Sequence, residues 1–188
     1  FKWKKWHKGN LPDPKRDGKI PIISALKNYA LQNVQGRLVT AQSLSQLLWA
    51  ARGRTPHLYK SIPWGLTIPV WTGDKDISRL MVLTSSRLFA YRNWGIKGPS
   101  HSLKSLAPVK QDVYFRVTQL FPAWNCLIVL STDDSHARAL WEVGYQFLNL
   151  AIQAYSLDVS YELILLEEAR KTFIADNLGI SSPIAVLG

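Results

Sequence analysis

Residues 40–53 read Thr40-Ala41-Gln42-Ser43-Leu44-Ser45-Gln46-Leu47-Leu48-Trp49-Ala50-Ala51-Arg52-Gly53. Leu44, Leu47, Leu48 and Ala51 recur at helical spacing, which gives this stretch one apolar face. Thr40 stands just ahead of the run, where a hydroxyl can accept from free backbone N–H groups, and Gly53 closes it. The pattern predicts an amphipathic helix whose leucine face must be buried against other elements.

Working outward, a second and longer helix is written after residue 132. Thr132-Asp133-Asp134-Ser135 offers capping oxygens and negative charge where a helix N-terminus favours them. Leu140, Val143, Gly144, Phe147, Leu148, Ala151 and Tyr155 then keep one apolar face. Leu80, Val82 and Thr84, then Leu88 and Ala90, alternate around Ser85-Ser86 and predict a hairpin. Residues 125–131 read as a buried strand, 164–166 as a short extended piece and 184–187 as a last core strand. Residues 23–33 allow a short helix, and 113–121 fit either a strand or a helix. Glu167–Leu178 predicts a helix with Ala169, Phe173 and Ile174 inward and Gly179 as its C-cap. Prolines and glycines break residues 54–75 and 93–110, which read as loop and short extended pieces. Strands mixed with helices imply an α+β sheet packed by helices.

The chain has 188 residues, 47% hydrophobic and 19% charged, which is globular composition and sets aside wholesale disorder. That length suits one domain with a real core. No apolar run approaches the roughly 18 residues of a membrane-spanning helix, and no charged-then-apolar signal peptide is visible. A first residue Phe1 rather than Met points to sequence upstream. One cysteine excludes an internal disulfide and agrees with a cytoplasmic location. Cys126 lies in the apolar run Cys126–Leu130 and reads as a small buried hydrophobe.

Charge is unevenly placed. The net charge is +10; residues 1–120 carry 20 basic and 5 acidic groups, and residues 121–188 carry 3 and 8. Residues 1–22 read as an extended, basic, Trp/Lys/Pro-rich arm ahead of a domain at 23–188. Its opening Phe1-Lys2-Trp3-Lys4-Lys5-Trp6-His7-Lys8 is either a solvated terminus or a contact for an anionic surface or acidic partner. Helix-turn-helix, zinc and RNP signatures are absent, which argues against a nucleic-acid module. His7, His57, His101 and His136 are scattered without metal-ligand spacing, so no metal is expected. Neither a phosphate-cradling glycine loop nor a nucleophile elbow is present. Asp133/Asp134 and Glu167/Glu168 sit at expected helix starts, where capping explains them without acid–base work.

Two stretches resemble the nitroreductase superfamily, and within it the SagB-type dehydrogenase branch. Leu44–Gly53 is similar almost letter for letter to that branch's L-S-Q-L-L-W-A-A-x-G helix. Glu142–Leu150 resembles its E-A-G-x-x-x-Q-N-L helix, and Leu178-Gly179-Ile180 with Ala185–Gly188 resembles the closing L-G-[LI]…L-P-V-G. With the hairpin at 79–91, the likeness covers roughly residues 24–188.

The resemblance implies a nitroreductase-like, mixed, mostly antiparallel sheet flanked by helices. It implies a homodimer, or a heterodimer with a paralogue of the same fold, and FMN-dependent oxidoreduction at the subunit interface. Where the family writes R-R-S-x-R to hold the flavin phosphate, this chain has Asn28-Tyr29-Ala30-Leu31-Gln32, so Tyr29, Ala30 and Gln32 depart from the motif. The Gln of the Q-N pair is Leu148, and only Asn149 remains. The family's flavin-facing glycines are replaced near Ile164-Leu165-Leu166, and the loop Ser131–Arg138 lacks the branch's Lys and Tyr. On this likeness Arg54, Ser61 and Asn149 are the candidate FMN contacts, with Arg52 and Lys60 as further cations for a rebuilt phosphate site. No catalytic residue is assigned. The other implied reading is a catalytically degenerate subunit that acts through a partner without flavin.

Overall fold

The computed structural model describes residues 11–15, 20–29, 35–59, 62–69, 78–96, 98–121, 124–133 and 136–188. The Lys/Trp cluster at 1–8 lies outside them, as do Ala30, Gln32, Lys60, Ser61 and Asp134.

Helices α1 (Ile22–Asn28) and α2 (Ala41–Arg52) come first. Thr40 caps α2 as expected, and reciprocally: its hydroxyl accepts from the Ser43 N–H, and Ser43 Oγ accepts from the Thr40 N–H. Strands β1 (Arg54–Tyr59) and β2 (Ile62–Leu66) follow as a separate two-stranded antiparallel sheet. A two-stranded sheet has only edge strands, so Pro56 and Pro63 do not prevent it.

The main sheet has six strands: β3 (Ser78–Leu83), β4 (Arg87–Gly95), β5 (Gly98–Pro108), β6 (Leu127–Thr132), β7 (Leu163–Leu165) and β8 (Pro183–Leu187). Its order is β5-β4-β3-β6-β8-β7, and every neighbouring pair is antiparallel. The expected hairpin at 80–90 is β3–β4. The stretch 93–110, read above as loop, instead completes β4 and forms β5. Gly95 and Gly98 make the turn between them, with Gly98 at φ 114°, a conformation open to glycine. Helix α3 (Gln111–Leu120) resolves the ambiguity at 113–121, and α4 (Ala137–Ser156) and α5 (Glu168–Leu178) complete the chain.

The sheet is the middle of three layers. Ile128 and Leu130 of β6, with Leu80, Val82, Tyr91 and Leu103, share a core with Leu44, Leu47 and Leu48 of α2 and Val143, Leu150 and Ala154 of α4. The alternate residues Leu127 and Val129 face the other way, toward Val113 and Val117 of α3 and Ile174 of α5. Cys126 is buried, and burial pushes its thiol up to about 12, as befits an inert hydrophobe.

Three local expectations are corrected. The cap of α4 is His136, whose Nδ1 accepts from the Arg138 N–H; Asp133 pairs with Arg79 and Ser181 instead. The buried face of α4 is Ala139, Glu142, Val143, Gln146, Leu150, Ala151 and Ala154, leaving Leu140 and Gly144 exposed. The shift follows from Glu142 and Gln146, polar residues that are inside because α2 and β3 supply partners. On α5, Ile174 is buried but Ala169 is exposed.

Candidate functional site

The two stretches that carried the resemblance lie side by side, α2 against α4 on one face of the sheet. Arg52, the last residue of α2, donates from Nη1 to Glu142 Oε1 of α4 at 2.5 Å, with the two side chains 5% and 2% exposed. Arg52 also donates to Ser78 Oγ (2.7 Å) at the start of β3, and Gln146 Nε2 donates to the same oxygen (2.7 Å). Asn93 of β4 donates to the Arg52 carbonyl at 2.9 Å. A buried charge persists only when paired and hydrogen-bonded, and this cluster supplies both. Glu142 Oε2 and Gln146 Oε1 remain without a hydrogen-bond donor.

Next to this cluster a cavity of about 260 Å³ opens at the start of β3 and the end of β4. Arg52, Ser78, Arg92 and Asn93 line its polar side, and Leu80, Met81, Leu106 and Trp94 its apolar side. Arg54, the first residue of β1, places its guanidinium 5.0 Å from the centre of the Trp94 ring, and its buried Nε has no acceptor.

A second polar network crosses the same core face. Ser45 of α2 donates to the Pro12 carbonyl, so it accepts from His101 Nε2–H (2.7 Å), and His101 Nδ1 in turn accepts from the Tyr91 hydroxyl (2.8 Å). Burial drives the His101 pKa down to about 4, partly opposed by Asp13, and raises that of Tyr91. A serine beside a histidine has the look of a nucleophile and its base. Ser45 is fully buried, however, and its one hydrogen is committed to a backbone carbonyl. The network instead holds residues 11–15 on α2, together with Gln46, which bonds both the N–H and the carbonyl of Lys15 (2.7 and 2.5 Å).

Of the sequence-predicted contacts, Arg52 and Arg54 meet at the cavity, and Asn149 is not among its lining residues. Asn149 donates to the carbonyls of Ala50 (3.0 Å) and Thr67 (3.4 Å), tying α4 to α2 and to the end of the β1–β2 hairpin. Leu148 beside it is half-buried carbon. Tyr29 is the C-cap of α1 and packs against the core. Arg52 turns inward to Glu142, and Arg54 lies over Trp94. Sequence reasoning passed over Glu142, Gln146, Ser78, Asn93 and the Ser45–His101–Tyr91 chain. For Glu142 and Gln146 the available signal was their i, i+4 spacing on an apolar helix. The remaining partners are brought together by strand register, which leaves no mark on local sequence.

No family model matches the chain, and no curated protein matches it. Among solved structures, a putative nitroreductase from Ralstonia eutropha JMP134 superposes with a TM-score of 0.68 at 15% identity, over 95% of this chain and 86% of that one. A putative nitroreductase from Anabaena variabilis ATCC 29413 gives 0.53 at 18% identity, over 94% of this chain and 40% of that one. At these identities the likeness is one of fold, and the fold is nitroreductase-like α+β. No described helix is long and apolar enough to cross a membrane.

Proposed function

We propose that this chain is a nitroreductase-fold subunit that works by pairing with a second domain of the same fold, its own copy or a paralogue, and does not hold FMN by the family's contacts. The observation that carries this reading is the use made of Asn149, whose amide is bonded to two backbone carbonyls inside the protein. The phosphate side points the same way. FMN carries a phosphate near two negative charges, which calls for guanidinium or ammonium donors. Positions 28–32 offer none, and Arg52 is already neutralised by Glu142. Missing charge-assisted hydrogen bonds cost about 1.5–3 kcal/mol each. At the other flavin-facing position, Leu166 is buried and its N–H is bonded to the Ile184 carbonyl at 2.9 Å.

Pairing is supported by the outer face of α4. Leu140, Trp141 and Tyr145 are 48, 60 and 45% exposed there, with Gly144 between them, and a methyl group at Gly144 would meet nothing within 4 Å.

The second reading is an FMN-dependent oxidoreductase of the SagB type, and one observation favours it: the buried Nε–H of Arg54, without an acceptor among the described residues, would donate to an anion. Flavin, when bound, supplies hydride transfer, and the protein's part is to hold and orient it. Two measurements separate the readings. On the pairing reading, purified protein is colourless, does not quench the fluorescence of added FMN and runs as a dimer by light scattering, while Tyr145→Arg shifts it to monomer. A yellow protein releasing one FMN per chain would overturn that reading. So would a wild-type monomer with no co-purifying homologue.

A further inference from the structure

We propose that the cavity beside Arg52 binds a small oxyanion carried on an apolar body, of the size of an aromatic carboxylate. Among the described residues, every charged one that lines it is an arginine: Arg52, Arg79 and Arg92. Glu142 compensates Arg52 from behind, and Asp133 pairs with Arg79 at 2.5 Å. Arg92 is exposed and has no ion-pair partner among the described residues, so it brings an unpaired positive charge to the described lining of the cavity. Arg54, half-buried, lies over Trp94 of the cavity wall and brings a further guanidinium close by.

The floor supplies a directed donor. Ser78 is buried, and its oxygen already accepts from Arg52 and from Gln146. A hydroxyl with both lone pairs occupied keeps its hydrogen for donation, and among the described residues no acceptor takes it. An anionic oxygen entering from the Arg92 side meets that O–H. Guanidinium groups at the mouth match the planar fork of a carboxylate. The remaining walls, Leu80, Met81, Leu106 and Trp94, offer carbon surface to the rest of the molecule. About 260 Å³ is small for a ligand pocket, which restricts the guest to roughly one ring.

The probes are benzoate, its neutral analogue benzyl alcohol, and inorganic phosphate, titrated calorimetrically into the intact protein. Benzoate is expected to bind saturably at one site per chain, phosphate to compete with it, and benzyl alcohol to bind at least tenfold more weakly. Arg92→Gln, at an exposed position, should weaken benzoate about tenfold. Leu106→Trp should block it by filling the cavity, and Arg116→Gln on α3 should leave it unchanged. The assignment fails if benzoate does not saturate, if benzyl alcohol binds as tightly, or if Arg92→Gln or Leu106→Trp binds benzoate like the parent.

Discussion

Replacing Glu142 by Leu gives the sharpest test of the α2–α4 junction. The change removes a carboxylate that is 2% exposed and takes the ion-pair partner from Arg52, which is 5% exposed and also donates to Ser78. In water a guanidinium would be fully hydrated; here the protein has excluded that water. Stranding one member of a buried pair costs about 3–5 kcal/mol. Against a net stability of about 5–15 kcal/mol, typical for a domain, that is a fifth or more of what holds the fold. The double variant Arg52→Met with Glu142→Leu should regain most of the loss, because the carbon of both side chains still fills the junction and no charge is stranded. The assay is urea unfolding followed by far-UV circular dichroism, with the midpoint read at constant slope. A single-variant cost below about 1 kcal/mol would mean that water reaches Arg52 and that the pair is not the buried clamp described here. A double variant as unstable as the single one would refute the claim that the charge, and not the packing, is at stake.

Three further outcomes follow from the same geometry. His101 is held neutral, with its pKa driven down to about 4 from an ordinary 6.5, so the unfolded chain takes up a proton first as pH falls. Stability should therefore be complete above pH 6.5 and decline toward pH 4. Full desolvation would set the loss at about 3 kcal/mol, and the ring's partial exposure reduces it to about 2; His101→Gln should flatten that slope in a pH series of thermal melts. Thr40→Ala removes the cap and half of the reciprocal pair with Ser43, and should cost about 1 kcal/mol by chemical denaturation. Leu150→Ala, in the fully buried seam of α4, should cost about 2–5 kcal/mol, and a loss under 1 would place α4 outside the core.

Much of this architecture was legible because it is written in local pattern. Thr40, the leucine spacing and Gly53 bound α2 to the residue, and Gly179 at φ 63° closes α5 where a left-handed cap was expected. The continuous apolar run at 127–130 became a strand buried on both faces. What was missed depended on partners distant in sequence. β5 was hidden because Gly95, Gly98, Pro99 and Pro108 read as breakers, whereas they mark the turn and the ends of an edge strand. The inward face of α4 was misjudged by the weight given to apolar residues. Glu142 is buried because Arg52 reaches it, and Arg52 stands 90 residues earlier.

The site was less legible than the fold, and the reason lies in which residues carried the likeness. Leu44, Leu47, Leu48 and Ala51 of the first motif are core residues, and Arg52, at that motif's unspecified position, meets the matched Glu142 of the second. Asn149, also in the second motif, is bonded to the backbone of α2. The matched letters are thus the ones that dock α2 on α4. The unmatched ones, at 28–32, 148 and 164–166, are those that the family's chemistry would need. A resemblance concentrated in a packing seam reports the fold, since a seam constrains side-chain shape whatever the site beside it does. Function must then be argued from groups the seam does not consume. Here those are Arg92, Arg54 and the hydroxyl of Ser78 around one cavity, and the exposed aromatic face of α4. Both lie outside the matched packing, so a change at Arg92 or Tyr145 should alter binding or association while the unfolding midpoint stays where the Arg52–Glu142 clamp sets it.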